Sequence, residues 1–195
     1  MKYGTVRIEK IVNVLRVFSR LNESTVKEID IHESIDSTLA ILESQARVNL
    51  PHFKFEVIKN YNRLPKINCY AGQLNQVFVN LLENSIDSFQ DLPKSIQPQI
   101  SIVTEAIDDC IRVKISDNGS GIPPEIQDKI FDPFFTTKPV GQGTGLGLST
   151  CYDIVRKHQG WIEVSSSTVD RGTEFIITLP VRPTFSPIAS VVKSL

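Results

Sequence analysis

The segments Asp117-Asn-Gly-Ser-Gly-Ile-Pro123, Phe131-Asp-Pro-Phe-Phe-Thr-Thr-Lys-Pro139 and Gly141-Gln-Gly-Thr-Gly-Leu-Gly-Leu148 follow one another and are the most informative part of this chain. Glycine permits positive φ angles and lets a ligand approach the backbone closely. Backbone N–H groups at the start of a helix, which the second glycine cluster indicates, favour phosphate oxygens. An ionised carboxylate only accepts hydrogen bonds, so Asp117 suits a donor such as the exocyclic amine of adenine. The three segments therefore predict a site for a purine nucleoside triphosphate.

A helix predicted upstream, over Gly72 to Gln90, carries two asparagines on one face. It contains Gln76-Val-Phe-Val-Asn80-Leu-Leu-Glu-Asn84-Ser-Ile-Asp87, in which Asn80 and Asn84 are four residues apart and point the same way. Downstream, Gly172-Thr-Glu-Phe175 begins a predicted final strand. A single glycine-rich segment would indicate only a tight loop after a strand. The complete ordered set of segments is much more specific.

Together these segments resemble the N, G1, F, G2 and G3 boxes of the catalytic ATP-binding domain of sensor histidine kinases. That domain belongs to a wider family that includes gyrase B, Hsp90 and MutL. The resemblance extends from Ile31 to Pro180. It implies an α+β fold, a two-layer α/β sandwich whose mixed, largely antiparallel sheet has helices on one face. ATP would lie between those helices and a lid formed by the long loop from Gly119 to Thr144.

Hydrophobic periodicity elsewhere in the chain agrees with such a sandwich. Apolar residues at helical spacing predict helices over 33–47 and 145–159, with Gly160 as the cap that ends the second helix. The turn residues Asp108 and Asp109 separate two predicted strands. Alternating patterns and β-branched residues predict strands over 53–59, 99–104, 110–115, 161–165 and 174–179.

The resemblance implies roles for polar residues at the phosphate end of the site. Asn84 would bind Mg²⁺, because an amide oxygen is a hard donor that suits this ion, and the phosphates would complete the shell. Asn80 would contact a phosphate or a metal-bound water. Many histidine kinases have a lysine or arginine three residues after the second asparagine, where this chain has Asp87. The neutralising cation is therefore predicted to be Lys138, with a solvated lysine on a loop as the alternative.

At the base end of the site, the resemblance implies that Asp117 accepts a hydrogen bond from the adenine amine while Gly121 lets the base lie against the backbone. Thr173 would support the same contact through its hydroxyl, directly or through water; an ordinary strand threonine is the alternative. Phe134 and Phe135 would anchor the lid and shield the nucleotide, and apolar packing alone explains them equally well.

The full set of residues predicted to bind ATP follows the matching boxes. Asn84 is the predicted metal ligand, and no residue of the chain is assigned a catalytic role of its own. The predicted cofactors are ATP and Mg²⁺. The predicted ATP-binding residues are Asn80, Asn84, Asp87, Asp117, Gly119, Gly121, Ile122, Phe134, Thr136, Thr137, Lys138, Gly141, Gly143, Thr144, Gly145, Leu146, Gly147, Leu148 and Thr173.

Residues 4–21 form a predicted amphipathic helix before this domain. Its apolar stripe suits a helix that packs on its own domain or one that pairs with another helix, and contains Ile8, Ile11, Leu15 and Phe18. The segment resembles the second helix of a histidine kinase dimerisation hairpin. We therefore expect a partial dimerisation helix and polar linker over 1–28, the ATP-binding catalytic domain over 29–182 and a C-terminal tail over 183–195.

The three histidines differ from the phospho-acceptor of the family, which is followed by an acidic residue and, a few positions later, by proline. His32 is followed by Glu33 but by no such proline, His52 begins a predicted strand, and His158 ends a predicted helix. The acceptor helix is therefore expected before Met1. The resemblance implies a catalytic region that transfers the γ-phosphate of Mg·ATP to a histidine outside this chain, in two-component signalling with a response regulator and as a homodimer.

Two other functions remain open. The chain could bind nucleotide and a partner helix as a regulatory module without kinase activity. It could also be an ATPase of the gyrase or Hsp90 type, which uses a glutamate one turn before the metal-binding asparagine to activate water. That position is Asn80 here, and the neighbouring Glu83 points off the shared face, which disfavours the ATPase alternative.

Composition excludes several other classes of protein. With 195 residues, 41% hydrophobic residues and 22% charged residues, the chain has the composition of an ordinary globular protein. Its net charge of −1 gives no electrostatic reason to expect nucleic acid or an anionic membrane as partner. No apolar run reaches the ~18 residues that a membrane-spanning helix needs. The 3 cysteines contain no Cys-x-x-Cys pair, which favours a reducing, cytoplasmic location over a disulfide or zinc framework.

Overall fold

The computed structural model describes residues 25–49, 54–90, 92–139, 143–169 and 171–185 of the 195-residue chain. The predicted N-terminal helix with its apolar stripe, His52 and Gly141 lie outside the described residues. The strands are β1 (Lys27–Ile29), β2 (Glu56–Tyr61), β3 (Ile67–Cys69), β4 (Gln99–Ile107), β5 (Cys110–Asp117), β6 (Trp161–Thr168) and β7 (Gly172–Pro180). The helices are α1 (Ile31–Asn49), α2 (Ala71–Asp87), α3 (Pro124–Gln127) and α4 (Gly147–Lys157).

Five strands form one mixed sheet in the order β2-β4-β5-β7-β6. β2 runs parallel to β4, and the other neighbouring pairs are antiparallel. Along β5 every second side chain is buried, as the two-residue period of a strand requires. Ile115 of β5 pairs with Ile102 on one side and with Phe175 on the other, so one apolar row crosses three strands. This arrangement confirms the predicted mixed, largely antiparallel sheet.

The helices α1, α2 and α4 pack on the apolar face of this sheet, and α2 lies between the other two. The face of α2 that enters the core carries large apolar side chains at alternating three- and four-residue steps, and fully burying each contributes about 1.5–3 kcal/mol. These residues are Leu74, Val77, Phe78, Leu81 and Leu82. The helix layer confirms the predicted two-layer sandwich. The buried side chains of α2 hold this helix in the core.

The fold differs from the sequence prediction in several places, among them the short helix α3 within the predicted loop from Gly119 to Thr144. Lys27 and Glu28, which we expected in a polar linker, form β1 and pair antiparallel with β3 in a small second sheet. Each of these strands has 3 residues, too few for an alternating pattern to appear in the sequence. The prediction that Gly160 ends α4 is also wrong, because Gln159 adopts the left-handed conformation, with φ +58°. Gly160 is instead packed so closely on β7 that a Cβ atom would lie 2.4 Å from the Thr178 carbonyl oxygen.

The segment after β7 packs back on the domain as far as Phe185. The side-chain amide of Gln159 donates to the carbonyl of Thr184 and accepts from its backbone N–H, each at 3.0 Å. The ring of Phe185 lies 4.7 Å from that of Tyr70 and 5.4 Å from that of His158. The predicted tail therefore begins with residues that belong to the folded unit. Within the described ranges, no helix has the length and apolar character needed to span a lipid bilayer.

Candidate nucleotide-binding site

The Asp117 carboxylate, at the end of β5, receives hydrogen bonds from three parts of the fold. Its Oδ1 atom accepts from the backbone N–H of Gly119 at 2.9 Å and lies 3.2 Å from Ser88 Oγ, while its Oδ2 atom accepts from Ser85 Oγ at 3.1 Å. Burial raises the pKa of Asp117, and the bonds from Gly119, the two serines and the Thr173 backbone lower it without cancelling that effect. The predicted base acceptor is thus a half-buried carboxylate held on several sides.

The loop after Asp117 is attached to the hairpin between β6 and β7. The backbone N–H of Ile122 donates to Ser167 Oγ at 2.7 Å, and Ser167 Oγ lies 3.0 Å from Thr173 Oγ1. The side-chain amide of Gln127 donates to the Ile122 carbonyl at 2.8 Å. The hydroxyl of Thr173 therefore contacts Ser167, and its backbone is the part that reaches Asp117. Gly121, in the same loop, has φ +73°.

The two asparagines of α2 have different surroundings. The amide nitrogen of Asn80 donates to the Gly147 carbonyl at 2.9 Å, and its amide oxygen accepts from Gln76 at 2.7 Å. Asn80 thus ties α2 to the first residue of α4, and its contact with phosphate or metal-bound water stays a prediction. Asn84 is half-buried, and among the described residues no hydrogen bond engages its side-chain amide. The Asn84 amide oxygen is therefore available to a ligand.

The lid is attached to the domain at both ends. Ile130 is buried, and Phe135 packs against the core. The backbone N–H of Phe134 donates to the Gly145 carbonyl at 2.9 Å, and Gly145 has φ +65° with no room for a Cβ atom beside the Phe134 backbone. The Phe134 side chain is 74% exposed. In this structure the backbone of Phe134 and the side chains of Ile130 and Phe135 hold the lid, and the role of the Phe134 side chain as a lid anchor over bound nucleotide stays a prediction.

Lys138 in the lid forms an ion pair with Asp87 in the last turn of α2. The backbone N–H of Lys138 also donates to Thr136 Oγ1 at 3.2 Å. Gly143 lies beside these two lid residues, because a Cβ atom built on it would meet Thr136 Oγ1 at 2.4 Å and Lys138 Cβ at 3.1 Å. The structure thus brings together three predicted site residues of the lid and one of α2, whereas the Thr137 side chain is exposed to solvent.

The start of α4 presents backbone donors towards the same region. No side chain caps this helix, whose first residue, Gly147, is half-buried. Thr144 Oγ1 accepts from the backbone N–H of Leu146 at 3.3 Å. This bond joins the last residue of the lid to the residue before α4. Leu148 packs against the core and fixes the first turn. Uncapped N–H groups at a helix start carry partial positive charge and bind anions such as phosphate.

The two described histidines are both engaged in the fold. Nε2 of His158 accepts from the backbone N–H of Tyr70 at 3.1 Å, and its Nδ1 lies 2.7 Å from the Ile154 carbonyl oxygen to which it donates. Burial lowers the pKa of His158, which keeps the imidazole neutral. His32 stacks on Tyr61 with ring centroids 4.2 Å apart. Both imidazoles are thus in contact with the folded domain, and the expectation that neither histidine is the phospho-acceptor stays a prediction.

Sequence reasoning missed the hydroxyl groups that hold the base end of the site. Ser85 and Ser88 contact Asp117, and Ser167 contacts the loop after it. A signal for Ser85 was present, because this residue continues the apolar stripe of α2 four residues after Leu81. A serine at a core-facing position needs a hydrogen-bond partner. No periodic signal marks Ser88 or Ser167.

Comparison with known proteins agrees with this geometry. Residues 70–183 match the family model described as histidine kinase-, DNA gyrase B-, and HSP90-like ATPase. Sporulation kinase E of Bacillus subtilis (strain 168) is 33% identical over 177 residues, which cover 90% of this chain and 22% of the relative. Signal transduction histidine-protein kinase AtoS of Escherichia coli (strain K12) is 35% identical over 180 residues, which cover 90% of this chain and 27% of the relative. This chain thus spans about a quarter of the length of these relatives.

Solved structures give the same result for the fold. The nucleotide-free catalytic domain of histidine kinase ThkA superposes with a TM-score of 0.68 at 29% identity, over 82% of this chain and 97% of that domain. A mycobacterial sensor histidine kinase, MprB, superposes with a TM-score of 0.62 at 27% identity, over 82% of this chain and 100% of the other.

Proposed function

The chain belongs to the family of histidine kinase-, DNA gyrase B-, and HSP90-like ATPases, and we propose that it is the ATP-binding catalytic region of a sensor histidine kinase. It binds Mg·ATP and transfers the γ-phosphate to a histidine on a separate helix. The observation that carries this proposal is that the last turn of α2 connects the predicted metal ligand, the predicted base acceptor and the lid. That turn offers the Asn84 amide, contacts Asp117 through Ser85 and pairs with the lid through Asp87.

Adenine is bound at the Asp117 end. The exocyclic amine donates to the carboxylate, which as an ionised group accepts and does not donate. The loop that begins at Gly119 and is attached to Ser167 forms the floor of this end. Because the carboxylate is half-buried, a hydrogen bond to it is strengthened by a local dielectric lower than that of water.

Mg²⁺ is held by Asn84 together with the phosphates of the nucleotide. Among the described residues, no group of three or more His, Cys, Asp or Glu side chains is placed to hold a metal ion. A site with one protein ligand fits Mg²⁺, which keeps several waters and is commonly bound by one or two side chains plus substrate phosphates. The available Asn84 oxygen is a hard donor of the right kind. The ion supplies charge neutralisation between the phosphates.

The phosphates lie between the start of α4 and the lid. The N–H groups of Gly147 and Leu148 would bind oxygen atoms of the phosphate chain, and Lys138 would supply a positive charge from the lid. Asp87 holds that lysine near the end of α2. Phosphoryl transfer through a loose transition state requires little covalent chemistry from the protein, so the residues act by positioning the nucleotide and neutralising charge.

The acceptor histidine is supplied by a helical hairpin, in cis or from the other subunit of a homodimer, and a response regulator receives the phosphate. The engagement of His32 with Tyr61 and of His158 with Tyr70 supports an acceptor other than these two residues. We place the activity in the cytoplasm, which the free thiols of Cys69, Cys110 and Cys151 support.

A water-activating ATPase is less well supported. The residue one turn before Asn84 is Asn80, whose amide is bonded at both ends and has no basic function. The other candidate base, Glu83, lies on the exposed side of α2. A nucleotide-binding module without kinase activity is compatible with the same geometry and is distinguished by experiment.

The experiment is phosphorylation in trans with γ-labelled ATP. The chain is incubated with a separately produced helical hairpin that carries a His-Glu acceptor sequence, and acid-labile phosphate is counted on both proteins. We expect label on the hairpin and none on the chain. A chain that binds ATP but labels no hairpin would support the binding module, and acid-labile label at His32 would contradict the assignment of a separate acceptor. Asn84→Ala is the matched inactive control.

A further inference from the structure

Ser85, in the last turn of α2, and Ser88, the residue that caps the end of this helix, contact the carboxylate that we assign to adenine. Ser85 Oγ donates to Asp117 Oδ2 at 3.1 Å, and Ser88 Oγ lies 3.2 Å from Asp117 Oδ1. The two serines are three residues apart and therefore lie on one face of the helix. Each carboxylate oxygen thus has its own hydroxyl neighbour from α2, in addition to the backbone N–H of Gly119.

These contacts are tightly packed. Ser85 is 2% exposed. Gly119 lies so close to Ser88 that a Cβ atom built on the glycine would be 1.8 Å from Ser88 Oγ and 3.0 Å from Asp117 Oδ1. The glycine of this loop is therefore required by the close approach of the serine to the carboxylate. Neither serine was expected to belong to the site from the sequence.

A half-buried carboxylate that recognises an amine has two requirements. It must be ionised, because a protonated oxygen would present a donor to the amine, and it must keep a lone pair directed at the ligand. Burial opposes the first requirement and raises the pKa of Asp117. Hydrogen bonds donated to the carboxylate favour its charged form and fix its plane. The two serines meet both requirements.

Resting on the function proposed above, we propose that Ser85 and Ser88 are positioning residues for base recognition. They hold the Asp117 carboxylate as an oriented acceptor for the exocyclic amine, and they thereby set the preference of the site for adenine over purines that lack this amine. Neither serine touches the reacting phosphate, so their effect is on the choice of nucleotide.

Ser85 has the larger effect of the two. The hydroxyl of Ser88 has one proton and two acceptors within reach, since it lies 2.7 Å from the Ser85 carbonyl oxygen and 3.2 Å from Asp117. Its bond to the carboxylate therefore competes with a backbone bond of the kind common in helices. The Ser85 hydroxyl is directed at Asp117 Oδ2.

The test asks whether removing each serine hydroxyl changes the preference of the site for a base that carries the exocyclic amine. Calorimetric titrations with ATP and with purine riboside triphosphate, which lacks the exocyclic amine, are made on wild type, Ser85→Ala and Ser88→Ala. Wild type should prefer ATP by about tenfold or more, the worth of a hydrogen bond to a charged group. Ser85→Ala should reduce that preference by about threefold to tenfold, and Ser88→Ala by less.

Thr38→Val is the matched control, because Thr38 is also buried in a helix, its hydroxyl bonds to the Ser34 carbonyl, and it lies outside the site. This variant should keep the wild-type preference. The pH at which ATP binding is lost on acidification should move upwards in Ser85→Ala and stay in place in Thr38→Val, since the lost hydrogen bond favoured the ionised form.

The outcomes separate the two proposals. If wild type binds neither nucleotide, the proposed function itself fails and this inference fails with it. If wild type prefers ATP and Ser85→Ala weakens both nucleotides equally, or changes neither, the serine has a structural role only and the inference alone is overturned. If Ser85→Ala unfolds, Ser88→Ala serves as the test, because Ser88 is only half-buried. An unchanged preference for ATP over purine riboside triphosphate in Ser88→Ala would then overturn the inference.

Discussion

Lys138 of the lid and Asp87 of α2 form an ion pair, and Asp87 stands where many histidine kinases have a lysine or arginine. We propose that Lys138 supplies from the lid the positive charge that those proteins carry on the helix. Both side chains are more than a third exposed, at 38% and 39%. A pair of this exposure contributes only about 0–1 kcal/mol to stability, so its importance lies in where it holds the lysine.

Lys138→Ala should weaken ATP binding by about tenfold, because it removes a charged contact with the phosphates, and should leave thermal stability almost unchanged. Adding Asp87→Lys to this variant should restore part of the affinity, since the positive charge is then supplied from α2 itself. Calorimetric titration of both variants measures this. Equal affinities of wild type and Lys138→Ala would remove the lysine from the site.

Asn84→Ala and Asn80→Ala should give opposite results, although the two asparagines lie on one face of α2. Removing the Asn84 amide should abolish the Mg²⁺ dependence of ATP binding and leave thermal stability unchanged, because no bond within the described part of the chain is lost. Removing Asn80 should destabilise the protein by about 0.5–1.5 kcal/mol, because the hydrogen bond that ties α2 to the first residue of α4 is lost. Titration with and without EDTA and thermal unfolding make the comparison. A Mg²⁺ dependence in Asn84→Ala equal to that of wild type would reject the metal assignment.

His158 should make the stability of the protein fall in mildly acidic solution. Its pKa is lowered below 6.5 in the folded state, chiefly by burial and further by the charge of Lys157. As the pH falls below 6.5, the unfolded chain therefore takes up a proton before the folded chain does. The neutral imidazole makes its full contribution to the free energy of unfolding above pH 6.5. This contribution is lost as the pH falls through the pKa of His158 in the folded state.

His158→Leu tests this account of the pH dependence. The variant should be less stable by about 1–3 kcal/mol at neutral pH, because the Tyr70 N–H loses its acceptor. Its free energy of unfolding should also vary less with pH in the mildly acidic range than that of wild type. Urea unfolding at several pH values gives both quantities. The same slope in wild type and variant would show that other groups cause the acid sensitivity.

The sequence predicted the large elements and the residues at the two ends of the site because both leave local signals. The stripe of α2 and the alternation of β5 have clear periods, and the glycine-rich segments are typical of a nucleotide site. The three-residue strands β1 and β3 have no detectable period. Contacts between distant segments, such as Asn80 with Gly147 and Ser85 with Asp117, depend on packing that no local pattern encodes.

The direction of the Phe134 side chain is another feature that local sequence patterns do not encode. The resemblance to the F box predicted apolar anchors at Phe134 and Phe135, and Phe135 does pack on the core. The backbone of Phe134 has φ +68° and bonds to Gly145, which turns the side chain outwards. A left-handed residue other than glycine is uncommon and is fixed by tertiary contacts, so the direction of this side chain was not predictable from its type.

Titration of the chain with Mg·ATP, in parallel with Asp117→Asn, tests the central claim most directly. We predict saturable binding by wild type and an affinity lower by about 1.5–3 kcal/mol in the variant, because an amide in place of the carboxylate removes a charge-assisted hydrogen bond to the adenine amine. Thermal unfolding confirms that the variant is folded. Absence of binding heat with wild type, or an unchanged affinity in folded Asp117→Asn, would contradict the account.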